Sequence, residues 1–228
     1  MSEEEWLACV DPMPMLEFLR GKASDRKLRL FACACCRRVG NHLWSGSIGQ
    51  EAILTAEKYA DGMATLEELD ACRRLIESQL KLYPAEPVYD ASYWACGRNI
   101  QEKVEGSAFY AANRSTWSID QSADDYDARC EKRRNEELAA QASFLHNIFG
   151  PLPFRFVHLE PSWLTWNDGT IPKLAQAIYD DRAFDHLPIL ADALEESGCS
   201  DRDILGHCRS EGEHVRGCWV VDLVLGKS

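Results

Sequence analysis

Arg26-Lys27-Leu28-Arg29-Leu30-Phe31-Ala32-Cys33-Ala34-Cys35-Cys36-Arg37-Arg38 is the stretch on which the fold turns. Its middle, Leu30 to Cys36, is apolar without interruption, and charge stands at both ends. A helix that is apolar on every side is one surrounded by other helices. The stretch therefore predicts the buried central helix of an all-α protein, opened by Ser24.

Helical punctuation extends outward from it in both directions. Upstream, Asp11 before Pro12 reads as an N-cap with proline at the first helical position, and Met15, Leu16, Phe18 and Leu19 precede a stop at Gly21. Downstream, Ala52, Ile53, Ala56, Tyr59 and Ala60 mark a helix ending at Gly62. Thr65 and Glu68 form a capping box for the next, whose stripe is Leu66, Leu69, Cys72, Ile76 and Leu80, and the two helices read as an antiparallel pair. Beyond the Pro84 to Pro87 break, Tyr89, Tyr93, Cys96, Ile100, Val104, Ala108 and Ala111 predict one long helix. After a polar loop that begins near Trp117, Leu138, Ala142, Leu145 and Phe149 predict another. Phe31, Cys35, Leu69, Ile76, Ile100 and Val104 are the expected core.

Gly150-Pro151-Leu152-Pro153 is the clearest interruption, since prolines and glycine together forbid a helix. It divides the chain into an N-terminal helical bundle, 1–150, and a C-terminal helical subdomain, 151–228, packed on it. Phe154 to Leu159 reads as a short extended segment with no partner strand. Helices are expected at 171–182, 187–197, 201–209 and 214–225. The expectation is an all-α fold of about ten helices in two packed groups.

The 228 residues carry a net charge of −12, which argues against nucleic acid and anionic membrane as partners. From Arg20 to Arg38, however, seven basic residues face one acid. Arg26, Lys27, Arg29, Arg37 and Arg38 are the candidate docking residues for a protein with an acidic surface. The bland alternative is that the acidic remainder pairs with them. The start, Met1-Ser2-Glu3-Glu4-Glu5-Trp6, is acidic where a targeting peptide is basic, and no apolar run approaches the ~18 residues of a membrane helix. These features predict a cytoplasmic protein, where the reducing pool keeps its ten cysteines as thiols.

The densest chemistry is Cys199, His207, Cys208, His214 and Cys218, all within twenty residues. Zinc takes four such ligands, and Cys199, Cys208, His214 and Cys218 are the candidate Cys3His set. The spacing of four between His214 and Cys218 puts both on one face if 214–225 is helical. The competing reading has the cysteines in the core and the histidines at the surface, with no metal. On the same premise His214, Cys218 and Asp222 form a row that a hydrolase or transferase could use. Cys33-Ala34-Cys35-Cys36 contains a C-x-x-C spacing but lies deep in an apolar helix, where burial raises thiol pKa values and favours inert packing. Phosphate-loop, dinucleotide, nucleophile-elbow and H-E-x-x-H signatures are missing.

Trp6-Leu7 with Asp11-Pro12 and Met15-Leu16-Glu17-Phe18-Leu19, the Arg26–Arg38 stretch, Trp163-Leu164-Thr165-Trp166 and His214-Val215-Arg216-Gly217-Cys218-Trp219 together resemble a paralogue-rich bacterial family. The resemblance covers both ends of the chain and implies a fixed helical scaffold with a variable middle. It brings no activity and no catalytic residue. The function expected is a non-enzymatic helical interaction or regulatory module, with a structural zinc protein as the alternative.

Overall fold

The computed structural model describes residues 1–40, 48–82, 87–116, 119, 121–122 and 124–228. Pro84, the Tyr89 side chain and Trp117 lie outside that set. Among the described residues there are thirteen α-helices and no strand, so the protein is all-α. In chain order the helices are α1 (Glu3–Ala8), α2 (Pro12–Leu19), α3 (Asp25–Gly40), α4 (Ile48–Ala60), α5 (Leu66–Leu82), α6 (Pro87–Ala95), α7 (Ile100–Arg114), α8 (Tyr126–Phe149), α9 (Pro161–Thr165), α10 (Thr170–Asp181), α11 (Leu187–Glu196), α12 (Arg202–Cys208) and α13 (Trp219–Leu225). They form two compact units, one of Met1 with Ala8–Ala142 and one of Ser2–Leu7 with Ser143–Ser228.

In the first unit α3 packs against α4, α6 and α7. Its residues from Lys27 to Cys36 are all buried, as expected of a helix walled in on every side. Phe31, Cys35, Leu69, Ile76, Ile100 and Val104 are buried in this unit. The expected caps form: Asp11 accepts from the Met13 N–H, and Thr65 and Glu68 bond each other's backbone N–H.

The expected long helix over 89–111 is two helices, broken at Cys96-Gly97-Arg98-Asn99. Breaking a helix frees carbonyls that need donors. Arg29, only 2% exposed, supplies them from α3, its Nη1 donating to Ala95 O at 2.8 Å and Gly97 O at 2.9 Å. Its guanidinium also lies 5.0 Å from the centre of the Tyr59 ring.

Arg29 is one of five cations expected on a docking surface, and the structure gives four of them, Arg26, Arg29, Arg37 and Arg38, partners within the unit instead. Lys27 is buried. Arg26 Nε pairs with Asp61 at 3.0 Å, Arg37 grips Glu57 with two bonds of 2.7 and 2.8 Å, and Arg38 Nε meets Glu137 at 2.8 Å. Asp61, Glu57 and Glu137 are themselves nearly inaccessible, so each cation neutralises a carboxylate that burial would otherwise make costly.

The second unit has a core of Ile171, Ile178, Tyr179, Leu187, Leu190, Leu194, Ile204, Trp219 and Val220, with α10 against α11 and α13. The division falls between Ala142 and Ser143, inside α8, rather than at the expected 150/151 break. The physical reason is that the last turns of α8 pack in this unit. His146 donates to Trp6 O at 2.7 Å, and the Trp6 ring stands edge-on to those of Phe149 and Phe154. The expected extended segment carries no strand, and within it Val157 alone is buried. Gly150 closes α8 in the left-handed region at φ +51°, and a Cβ there would lie 2.5 Å from Trp219 Nε1.

Candidate metal centre

The second unit gathers two of its histidines, His207 and His214, and one cysteine at the junction of α12 and α13. Asp201 caps α12, its Oδ1 accepting from the N–H groups of Asp203 and Ile204 at 2.9 and 3.1 Å. Ile204 and Cys208, four apart, are buried, and His207, three residues after Ile204 on the adjoining side of the helix, lies with its ring centre 5.3 Å from that of Trp219 of α13. The loop turns back at Gly217, which has φ +94°, and the Cys218 N–H closes the turn on Val215 O at 3.0 Å. Cys218 occupies the N-cap position of α13 and is fully buried.

His207, His214 and Cys218 each present one ligand atom, and the three atoms lie within 4.8 Å of one another. His207 Nε2 is 3.2 Å from Cys218 Sγ, and the two imidazoles meet at right angles with centres 4.9 Å apart. A tetrahedral zinc ion with bonds of about 2.0–2.3 Å holds its ligand atoms roughly 3.3–3.7 Å from each other. A closure of about one ångström therefore suffices to seat one.

Asn147 of α8 supplies the outer contacts. Its Oδ1 accepts the Val215 N–H at 3.1 Å, which orients the amide so that Nδ2 faces His207 Nε2 at 3.3 Å and His214 Nδ1 at 2.5 Å. Both ring nitrogens then present lone pairs, the form that binds metal. On the far side of the His214 ring, Nε2 lies 3.4 Å from Ser210 O, so the proton sits there and Nδ1 is the acceptor, its lone pair held by the Asn147 amide that an incoming ion would displace. Burial pushes His207 down to about 3, with His214 adding to the effect, and burial lowers His214 as well. Neutral imidazoles at pH 7 lose no proton on binding a cation.

The structure thus brings together two of the four expected ligands, His214 and Cys218, and adds His207 in place of Cys199 and Cys208. Those two thiols are packed in the core, with their pKa values pushed up by burial. The expected helix over 214–225 begins only at Trp219, so His214 is a loop residue and the row His214, Cys218, Asp222 does not exist as one helical face. Asp222 is buried on α13 and is not part of the three-atom group. Cys33, Cys35 and Cys36 are buried with thiol pKa values raised chiefly by burial, as inert packing requires. No family model, curated protein or solved structure matches the chain.

Proposed function

We propose that this protein is a non-enzymatic helical interaction or regulatory module of the cytoplasm whose C-terminal unit binds a zinc-class cation through His207, His214 and Cys218. The observation that carries the reading is the convergence of two imidazole nitrogens and one sulfur within 4.8 Å. Nitrogen and thiolate donors in that number suit zinc better than calcium or magnesium, which take oxygen. The 3.2 Å contact between His207 and Cys218 also has the length of a thiol–imidazole catalytic pair. Two facts favour the metal over that alternative. Cys218 is 0% exposed, so no substrate reaches its sulfur. An imidazole protonated only at about pH 3 is too weak a base to take the proton of a buried thiol, whereas a bound cation deprotonates a thiol outright.

Elemental analysis of protein purified without chelator tests this, with about one zinc per chain expected. Cobalt substitution should give a thiolate-to-metal charge-transfer band. His207→Ala and Cys218→Ala should abolish both signals, and Cys208→Ala should retain them. Metal-free protein that also fails to take up cobalt overturns the reading. Retention of metal by Cys218→Ala moves the site elsewhere.

A further inference from the structure

The other unit contains a cavity of about 240 Å³ lined by Arg73 of α5, Tyr93 and Trp94 of α6, Arg98 and Asn99 of the break, and Lys103 of α7. Three cations around one opening are unusual in a chain of net charge −12. Arg98 is anchored by a two-point pair with Asp70, whose carboxyl is held low chiefly by that hydrogen bond. The other two cations are positioned by aromatic rings. Arg73 Nη2 donates to the Tyr93 hydroxyl at 2.6 Å, with its guanidinium 4.7 Å from that ring's centre. Lys103 Nζ lies 4.7 Å from the centre of the Trp94 ring. Among the described residues no carboxylate is within ion-pair distance of Arg73 or Lys103, and Asp70, which Arg98 holds, also feels the Arg73 charge.

The backbone is shaped to hold this arrangement. The Trp94 indole rests on Gly106, where a Cβ would come within 3.0 Å of the ring. At Gly97 a Cβ would meet the Lys103 stem at 3.1 Å, so glycine leaves that side chain its place. Holding a cation against an aromatic face fixes its position without cancelling its charge, which is how a rigid anion receptor is preorganised. Asn99, the N-cap of the 15-residue helix α7, lines the same opening and makes no side-chain cap bond, while Glu102 is the acidic residue of that helix's first turn.

We propose that this cavity binds a small phosphorylated molecule, its phosphoryl group held by Arg73 and Lys103 with Arg98 at the rim. A planar fork and a compact ammonium together match a tetrahedral dianion better than a single carboxylate. The opening is many times the ~10–15 Å³ that one water needs on the same measure, which leaves room for a short body beyond the phosphoryl group.

Calorimetric titration of the full chain with inorganic phosphate, pyrophosphate and O-phosphoserine in 0.1 M sodium chloride tests this. One saturable site is expected. Lys103→Gln and Arg73→Gln should each weaken it at least tenfold, and Lys22→Gln, which removes a cation lying over the Phe18 ring away from the cavity, should not. Inorganic phosphate binding as tightly as O-phosphoserine would show that the anion alone is recognised and would overturn the part of the proposal that assigns an attached body. Arg73→Gln loses a hydrogen bond as well as a charge, so Lys103→Gln carries the test if circular dichroism shows Arg73→Gln unfolded. No saturable heat with any of the three probes, or equal affinity in wild type and Lys103→Gln, overturns the proposal.

Discussion

Arg29 and His207 show what burial does to a charge-bearing residue in each of two ways, retention with full compensation or neutralisation. Arg29 keeps its place because two carbonyls of the α6–α7 break accept from it. Arg29→Leu leaves those oxygens in an apolar core and should destabilise the protein by about 2–4 kcal/mol, seen as a lower urea midpoint with an unchanged slope. Arg29→Lys should rescue only part of this, since an ammonium lacks the fork and the flat face that Tyr59 meets. His207 takes the other course. An unfolded histidine titrates near 6.5, and His207 stays neutral down to about 3. Below pH 6.5 the unfolded chain therefore binds a proton that the native chain does not, and stability falls as pH drops from 6.5 towards 3. The slope from this residue is at most about 1.4 kcal/mol per pH unit. Denaturation of chelator-treated protein at pH 7, 6, 5 and 4 should show that slope, and His207→Gln should flatten it. Equal pH dependence in both proteins would mean that His207 is protonated in the native state.

Helix ends decided how much of the architecture could be read in advance. Caps are local, so Asp11 and the Thr65–Glu68 box were legible from neighbouring residues alone. So was Ser2-x-x-Glu5, a second capping box, which opens α1. The break at Gly97 was hidden because Tyr93, Cys96, Ile100 and Val104 keep helical spacing across it, and both halves pack against α3. Spacing also misled at His214 and Cys218, where a separation of four occurs in a loop. His207 was legible as a ligand type but not as a member of the site, because its place beside Cys218 depends on the packing of α12 against the start of α13. Gly150 combines a helix end with a close approach, and Gly150→Ala adds a left-handed alanine to a Cβ–indole overlap with Trp219. It should lower stability by about 2–4 kcal/mol, with the loss visible in near-ultraviolet circular dichroism from tryptophan. A midpoint within experimental error of wild type would show that the indole can move aside at no cost.

Across the whole chain the basic stretch and the acidic excess answer each other. Arg26, Arg37 and Arg38 pair with Asp61, Glu57 and Glu137, which lie 35, 20 and 99 residues away. The all-α class was legible because a helix apolar on all sides requires helical neighbours. The partners of each arginine were not, since they depend on tertiary contacts at long separation. The same holds for α1, whose residues join the unit built from the other end of the chain. Trp6→Ala removes a fully buried indole and should destabilise that unit by about 3–5 kcal/mol, measured by calorimetric unfolding. A ribosome adds about 5–20 residues per second, so the 140 residues separating Trp6 from His146 take roughly 7–28 s to make. Until then the Trp6 side chain lacks His146, Phe149 and Phe154, the rings it packs against. Helix α1 is thus made long before it is buried, and the nascent chain presents a tryptophan-bearing helix to whatever chaperones attend it until residues 146–154 arrive.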